Sequence, residues 1–241
     1  TPERLRQEYR ARGAWSERRV FDLYADAAAR DPARLALVDP PNRAALDGAA
    51  PRRLTWGELS SLVDATVVAL ADAGLRCDDV LVTQLPNVVE YPALYLACAR
   101  LGVVISPVPM QFRRGELEPV CRLTKARALL TVRTFKDTEP ARIATELADG
   151  PRILVLGAEA PDGTQAFVPA AADARVRARA AELERAADVS ADDVLTICWT
   201  SGTEGMPKGV PRTHNHWLAI GVAHYDGAQI RPGDRLLNPF P

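Results

Sequence analysis

The chain has 241 residues, of which 47% are hydrophobic and 25% charged, and its 30 basic and 31 acidic residues leave a formal charge of −1. That composition argues against an intrinsically disordered polypeptide, and the length suffices for one large α/β domain or two small ones. The even balance gives no global pull toward nucleic acid or an acidic membrane, while a local basic pocket stays open.

The opening residues Thr1-Pro2-Glu3-Arg4-Leu5-Arg6 lack the apolar run of a signal peptide. Residues 1–30 are charged and amphipathic, with Val20, Leu23, Tyr24 and Ala27 at helical spacing and a stop near Asp31 and Pro32. Residues 35–38 read as a short strand, and residues 39–53, with their prolines, Asn42 and Gly48, as a loop. Thr55 and Glu58 have the spacing of a capping box, followed by Leu59, Leu62, Val63, Thr66, Leu70 and Ala73 at helical period and by Gly74 as the stop.

Residues 80–85 read as a buried strand. Asn87 and Glu90 open a helix that runs to Gly102 and tolerates Pro92 in its first turn. The apolar region 80–110 is broken by Gln84, Pro86, Asn87, Glu90, Pro92 and Arg100, which rules it out as a membrane span. Next come a strand over 103–107, a helix over 115–126, a strand over 128–132, a helix over 142–148 and a strand over 153–156. This alternation predicts an α/β fold with a parallel sheet covered on both faces. Over 167–187, Arg175, Arg177, Arg179 and Arg185 read as the solvated face of a helix.

Four cysteines, Cys77, Cys98, Cys121 and Cys198, lie among apolar residues without a C-x-x-C pair, as expected of reduced core thiols in a soluble, cytoplasmic protein. Three lysines, Lys125, Lys136 and Lys208, stand among 30 basic residues. A lysine is not interchangeable with an arginine at a phosphate site, so the position of each matters.

The apolar strand Leu195-Thr196-Ile197-Cys198-Trp199 runs straight into Thr200-Ser201-Gly202-Thr203-Glu204-Gly205-Met206-Pro207-Lys208-Gly209. Glycines let the backbone approach a ligand closely, and successive amides form a concave anion site. Thr200, Ser201 and Thr203 add hydroxyl donors and Lys208 a full charge, the parts needed to hold a polyphosphate. A tight surface turn also favours Gly, Ser and Pro, but rarely joins three hydroxyls, three glycines and a lysine after a buried strand. The G-x-x-x-x-G-K-[ST] loop does not fit, because Gly209 follows Lys208, and no G-x-G-x-x-G occurs.

Residues Thr200 to Val210 resemble the phosphate-binding signature of the adenylate-forming enzymes: acyl- and aryl-CoA synthetases, adenylation domains and luciferases. The upstream order agrees: Leu54-Thr55-Trp56-Gly57-Glu58-Leu59, then Leu85-Pro86-Asn87, then Ala99-Arg100-Leu101-Gly102, then Val108-Pro109. Tyr9-Arg10-Ala11-Arg12-Gly13-Ala14-Trp15 and Pro211-Arg212-Thr213-His214-Asn215 are similar to members that activate aromatic acids such as 2,3-dihydroxybenzoate, and related short-chain and alicyclic acid ligases share both features.

The resemblance implies an acid–thiol ligase. A carboxylate attacks the α-phosphate of ATP with Mg2+, pyrophosphate leaves, and the acyl-adenylate passes its acyl group to coenzyme A or to the pantetheine thiol of an acyl-carrier protein. Donors and a lysine around the departing pyrophosphate lower the barrier electrostatically. By position, Thr200, Ser201, Gly202, Thr203, Glu204, Gly205 and Lys208 form the nucleotide-binding set, with Lys208 stabilising phosphate charge. Glu204 stands where the family more often has Thr or Ser, and is expected to point outward or help hold Mg2+.

The resemblance also implies a partial N-terminal adenylation domain, with residues 1–187 as a first αβ region and residues 188–241 carrying the phosphate-loop strand, loop and following helix. The small C-terminal domain with its catalytic lysine is expected to be missing, so the chain alone is expected not to catalyse acid-dependent ATP–pyrophosphate exchange. Two other classes stay open: a nucleotide-binding phosphotransferase or ATPase, and a non-catalytic remnant of an adenylation domain.

His214, His216 and His224 do not form a zinc set, because H-x-H puts the rings on different helical faces and neither Cys nor carboxylate completes it. His214 is expected to begin the helix after the loop and approach the acid site, with Trp217, Leu218 and Ile220 in the core. The four tryptophans are too scattered for a base-stacking platform. Neither nucleic acid nor membrane is an expected partner.

Overall fold

In the computed structural model, which describes residues 1–148, 150–200 and 207–238, the amphipathic start forms two helices, α1 (Glu3–Ala11) and α2 (Val20–Arg30). The strand β1 (Leu35–Val38) pairs antiparallel with β2 (Arg53–Thr55). Between them the stretch expected as loop contains a short helix, α3 (Arg43–Asp47). Its Arg43 is buried and ion-paired with Asp39 at 2.6 Å, Glu90 at 2.9 Å and Asp47 at 3.3 Å. Asp39 also accepts the amides of Arg52 and Val89, so this segment is fastened by charges that have no hydrophobic period to betray them.

Thr55 caps α4 (Trp56–Asp72) as expected: its hydroxyl accepts the Glu58 amide at 3.2 Å, and Glu58 accepts the Thr55 amide at 2.8 Å. The chain then alternates through β3 (Val80–Gln84), α5 (Glu90–Leu101), β4 (Val104–Pro107), α6 (Arg114–Thr124), β5 (Ala128–Val132), α7 (Pro140–Thr145) and β6 (Arg152–Leu156). Pro92 is the third residue of α5, where its missing amide costs nothing. Gly102 ends α5 at φ +71°, and a Cβ there would lie 2.6 Å from Cys77 Sγ, so geometry and space both require glycine. Helix α7 starts earlier than its apolar pattern suggests, because Pro140 is well suited to the first turn.

The last elements are β7 (Gln165–Phe167), α8 (Ala174–Ala187), β8 (Val194–Thr200), β9 (Lys208–Thr213) and α9 (His214–Gly227). Seven strands make one sheet in the order β7-β6-β5-β3-β4-β8-β9, parallel except for the antiparallel β8–β9 pair. Period-two alternation sends neighbouring residues to opposite faces. Leu81, Leu130 and Leu154 join the core with α4 and α5, while Val82, Leu129 and Val155 join the second core with α6 and α7. The expected α/β fold with a sheet covered on both faces is therefore present.

On α8, Arg175, Arg177, Arg179 and Arg185 are exposed as expected. The opposite face is not solvated: Ala180 is fully buried, and Glu184 accepts from Arg19 at 2.8 Å and Arg100 at 2.9 Å. All four thiols are free and Cys98 and Cys121 lie in the core, but Cys198 on β8 is only half-buried and Cys77 is exposed, because it sits in the turn leading to β3. Among the described residues no helix is long and apolar enough to cross a membrane.

Candidate functional site

Strand β8 runs parallel to β4 and ends at Thr200, on the edge of the sheet where the parallel strands have their carboxyl ends. Open α/β sheets bind ligands outside that edge. Thr200 lies opposite Lys208 across the β8–β9 pair, and both are exposed. Among the described residues Lys208 has no ion-pair partner. Of the expected phosphate-loop residues, Thr200 and Lys208 are therefore placed at the mouth of a hairpin, while Ser201, Gly202, Thr203, Glu204 and Gly205 lie outside the described residues.

The connection is antiparallel, so α9 does not follow the loop directly. Lys208–Thr213 first returns as β9, and Thr213 caps α9 by accepting the His216 amide at 3.3 Å. The positive end of α9 stands roughly 20 Å of strand away from the loop, too far for its dipole to act there.

Side chains along the hairpin hold it to its neighbours, near the mouth and near the root. Trp199 Nε1 donates to Ser106 Oγ on β4 at 2.8 Å, and Trp217 Nε1 donates to the buried Thr196 Oγ1 at 3.0 Å. Gly209 lies opposite Trp199; a Cβ there would come within 2.9 Å of Ile197 Cγ2 and 3.2 Å of the indole ring. Burial raises the phenols of Tyr91 and Tyr95 and the thiol of Cys98, and pushes Cys121 up to about 12, so these groups stay neutral near pH 7. They are not poised as anionic nucleophiles. No cluster of His, Cys, Asp and Glu able to hold a metal occurs among the described residues.

At the other end of the hairpin the structure joins two stretches that the sequence offers separately. His214 is buried, with Nδ1 accepting the Val20 amide at 3.3 Å; burial first, and then the charge of Arg19, push its pKa down to about 4. It does begin a helix, but its ring is engaged by the N-terminal segment. Asn215 bonds the Ser16 amide, and His216 stands edge-on to Trp15. Arg10, Trp15, Asp192 and Asn215 were not legible as one group, since contacts across 182 or 199 residues leave no periodic signal. Trp217 and Leu218 are half-buried, and Ile220, expected in the core, is 48% exposed, because α9 is exposed all round from Ile220 to Gly227.

Residues 24–241 match the AMP-binding enzyme family. The chain is 32% identical to 2-hydroxy-7-methoxy-5-methyl-1-naphthoate–CoA ligase of Streptomyces carzinostaticus, over 89% of its own length and 38% of that protein. It is 28% identical to the medium-chain fatty-acid–CoA ligase of Escherichia coli, over 99% of its length and 40% of that protein. Among solved structures, Mycobacterium smegmatis MbtA in its apo form superposes with a TM-score of 0.73 at 25% identity, covering 95% of this chain and 40% of that one. The chain spans about two fifths of the length of these relatives.

Proposed function

This chain belongs to the AMP-binding enzyme family, and from that premise we propose that it is the phosphate-gripping part of an AMP-forming acid–thiol ligase. The observation that carries the reading is the placement of Thr200 and Lys208, face to face and exposed, at the carboxyl edge of the parallel strands. The sequence between them carries the hydroxyl residues Ser201 and Thr203 and the glycines Gly202 and Gly205, residue types suited to a phosphate. Residues 188–241 carry this strand, loop and helix, and residues 1–187 form the αβ region they rest on.

The substrates are ATP with Mg2+, a small carboxylic acid, and a thiol, either coenzyme A or the pantetheine of a carrier protein. The acid's carboxylate attacks the α-phosphorus, the bond to the bridging oxygen breaks, and pyrophosphate leaves with both bonding electrons. The thiol then displaces AMP from the acyl carbon. Lys208 and the loop donors meet the charge that grows on the leaving pyrophosphate. The acid is aryl, short-chain or alicyclic, the first in keeping with the naphthoate ligase among the relatives. The reaction belongs in the cytoplasm, where free thiols such as these four persist.

Because the family more often has Thr or Ser at this position, Glu204→Thr is expected to keep or improve ATP affinity; a large loss would give Glu204 a positive role. The test of the reading is product analysis of the intact protein over a panel of aryl and short alkyl acids. Acid-dependent AMP and pyrophosphate are expected. ADP and phosphate would replace the ligase with a phosphotransferase or ATPase.

A further inference from the structure

The N-terminal segment meets the root of the β8–β9 hairpin, at the end opposite Thr200 and Lys208. Asn215, buried at 1% exposure, is the hub. Its Oδ1 accepts the Ser16 amide at 3.1 Å, and its Nδ2 donates to Asp192 Oδ1 at 2.9 Å. Asp192 Oδ2 accepts from Arg10 Nη2 at 2.5 Å. Beside it the His216 ring stands at 84° to Trp15 with centroids 5.1 Å apart, and Trp15 is buried. Asp192 precedes β8 and Asn215 follows β9, so both arms of the hairpin converge on one short N-terminal stretch.

Within the sheet the hairpin is held through β8, with Trp199 bonded to Ser106 of β4 near the tip, while β9 lies outside it. Among the described residues Ile105 opposite Thr196 is the registered pair between β4 and β8, and β9 is the outermost strand. A ribbon running from Val194–Thr213 to Thr200–Lys208 is about 20 Å long, so a tilt of about 5° at the root moves the tip by roughly 2 Å. Displacements of that size are enough to spoil a site built on positioned donors.

We infer that Asn215, with Trp15 and Asp192, is a positioning group that sets the angle of the hairpin and so places Thr200 and Lys208 against a bound triphosphate. This rests on the phosphate reading proposed above. None of these residues touches the nucleotide; they act through the strands.

The experiment compares Asn215→Leu, Trp15→Ala, Trp15→Phe and Lys208→Ala in the 241-residue chain, with Leu154→Ala in β6 as a variant that lowers stability away from the hairpin. Two readouts are taken: hydrogen exchange at the β9 amides of Val210 and Arg212, and ATP affinity. Asn215→Leu and Trp15→Ala should speed β9 exchange well beyond Leu154→Ala and weaken ATP roughly tenfold, whereas Trp15→Phe, which keeps the ring contact, should stay near wild type. If β9 exchange and ATP affinity merely follow global stability in every variant, while Lys208→Ala still weakens ATP, the positioning role is overturned and the phosphate reading stands. If Lys208→Ala leaves ATP affinity unchanged, the phosphate reading falls, and the assigned purpose of the contact falls with it. Should Asn215→Leu fail to fold, the contrast between Trp15→Ala and Trp15→Phe decides.

Discussion

Along β5 every residue from Ala128 to Val132 is buried, with parallel strands in continuous register on both sides. Along β9, by contrast, Lys208, Gly209 and Pro211 are exposed, and the strand is paired on one side to β8 alone. The centre of the sheet is two packed faces of aliphatic side chains, so its mutations are paid in folding stability. The hairpin buries Leu195 and Thr196 toward its root but exposes Thr200 and Lys208 at its tip, so substitutions at the tip should spare stability and, on the reading proposed above, alter ATP binding. Stability and function are therefore separable by residue.

The largest separation is expected from Leu130→Ala. Leu130 is 1% exposed within the main core, and its truncation should cost about 2–5 kcal/mol in urea unfolding while leaving ATP affinity of the folded chain unchanged. A loss of affinity without a loss of stability would erase the distinction.

A second test uses pH. His214 titrates near 6.5 when unfolded and at about 4 when folded. Above pH 6.5 the ring is neutral in both states and its full contribution is present. As pH falls from 6.5 toward 4 the unfolded chain takes up the proton first, so stability declines by roughly 3 kcal/mol and this decline then levels off. Urea midpoints between pH 7 and 4 measure it, and a His214→Asn variant should lose most of the slope. A slope unchanged in that variant would remove His214 as its source.

Smaller effects belong to the hairpin. Lys208→Ala should weaken ATP binding by about 1–3 kcal/mol through a lost charge-assisted bond, with stability within about 0.5 kcal/mol because the side chain is exposed. Trp199→Phe keeps a smaller aromatic ring but loses the donor to Ser106, and should cost at least about 1 kcal/mol in unfolding free energy. Unchanged calorimetric stability would show that this bond does not hold the hairpin to β4.

What was legible in the sequence follows the same division. Strands β1 and β5 and the Thr55–Glu58 capping box are written in local pattern, and the structure has them where the pattern puts them. The return strand β9 was hidden, because Gly209 and Pro211 read as loop; an edge position excuses Pro211 from donating a ladder bond. Arg43 was hidden for another reason, since its burial rests on Asp39, Asp47 and Glu90, a charge set without periodicity. At the candidate site, residue types and spacing nominate Thr200 and Lys208, which lie opposite each other across β8 and β9, whereas Asn215, Trp15 and Asp192 could not be joined by any rule of spacing. Their contact exists because the fold brings α9 back onto the N-terminal segment.

The most direct measurement is a titration of the isotope-labelled chain with ATP and then tripolyphosphate, following backbone amide resonances by NMR. If the segment from Thr200 to Gly209 grips the phosphates, its amides shift with both ligands, and Lys208→Ala abolishes most of the change. Shifts confined to other parts of the chain, with these amides unmoved at saturating ATP, would contradict the account.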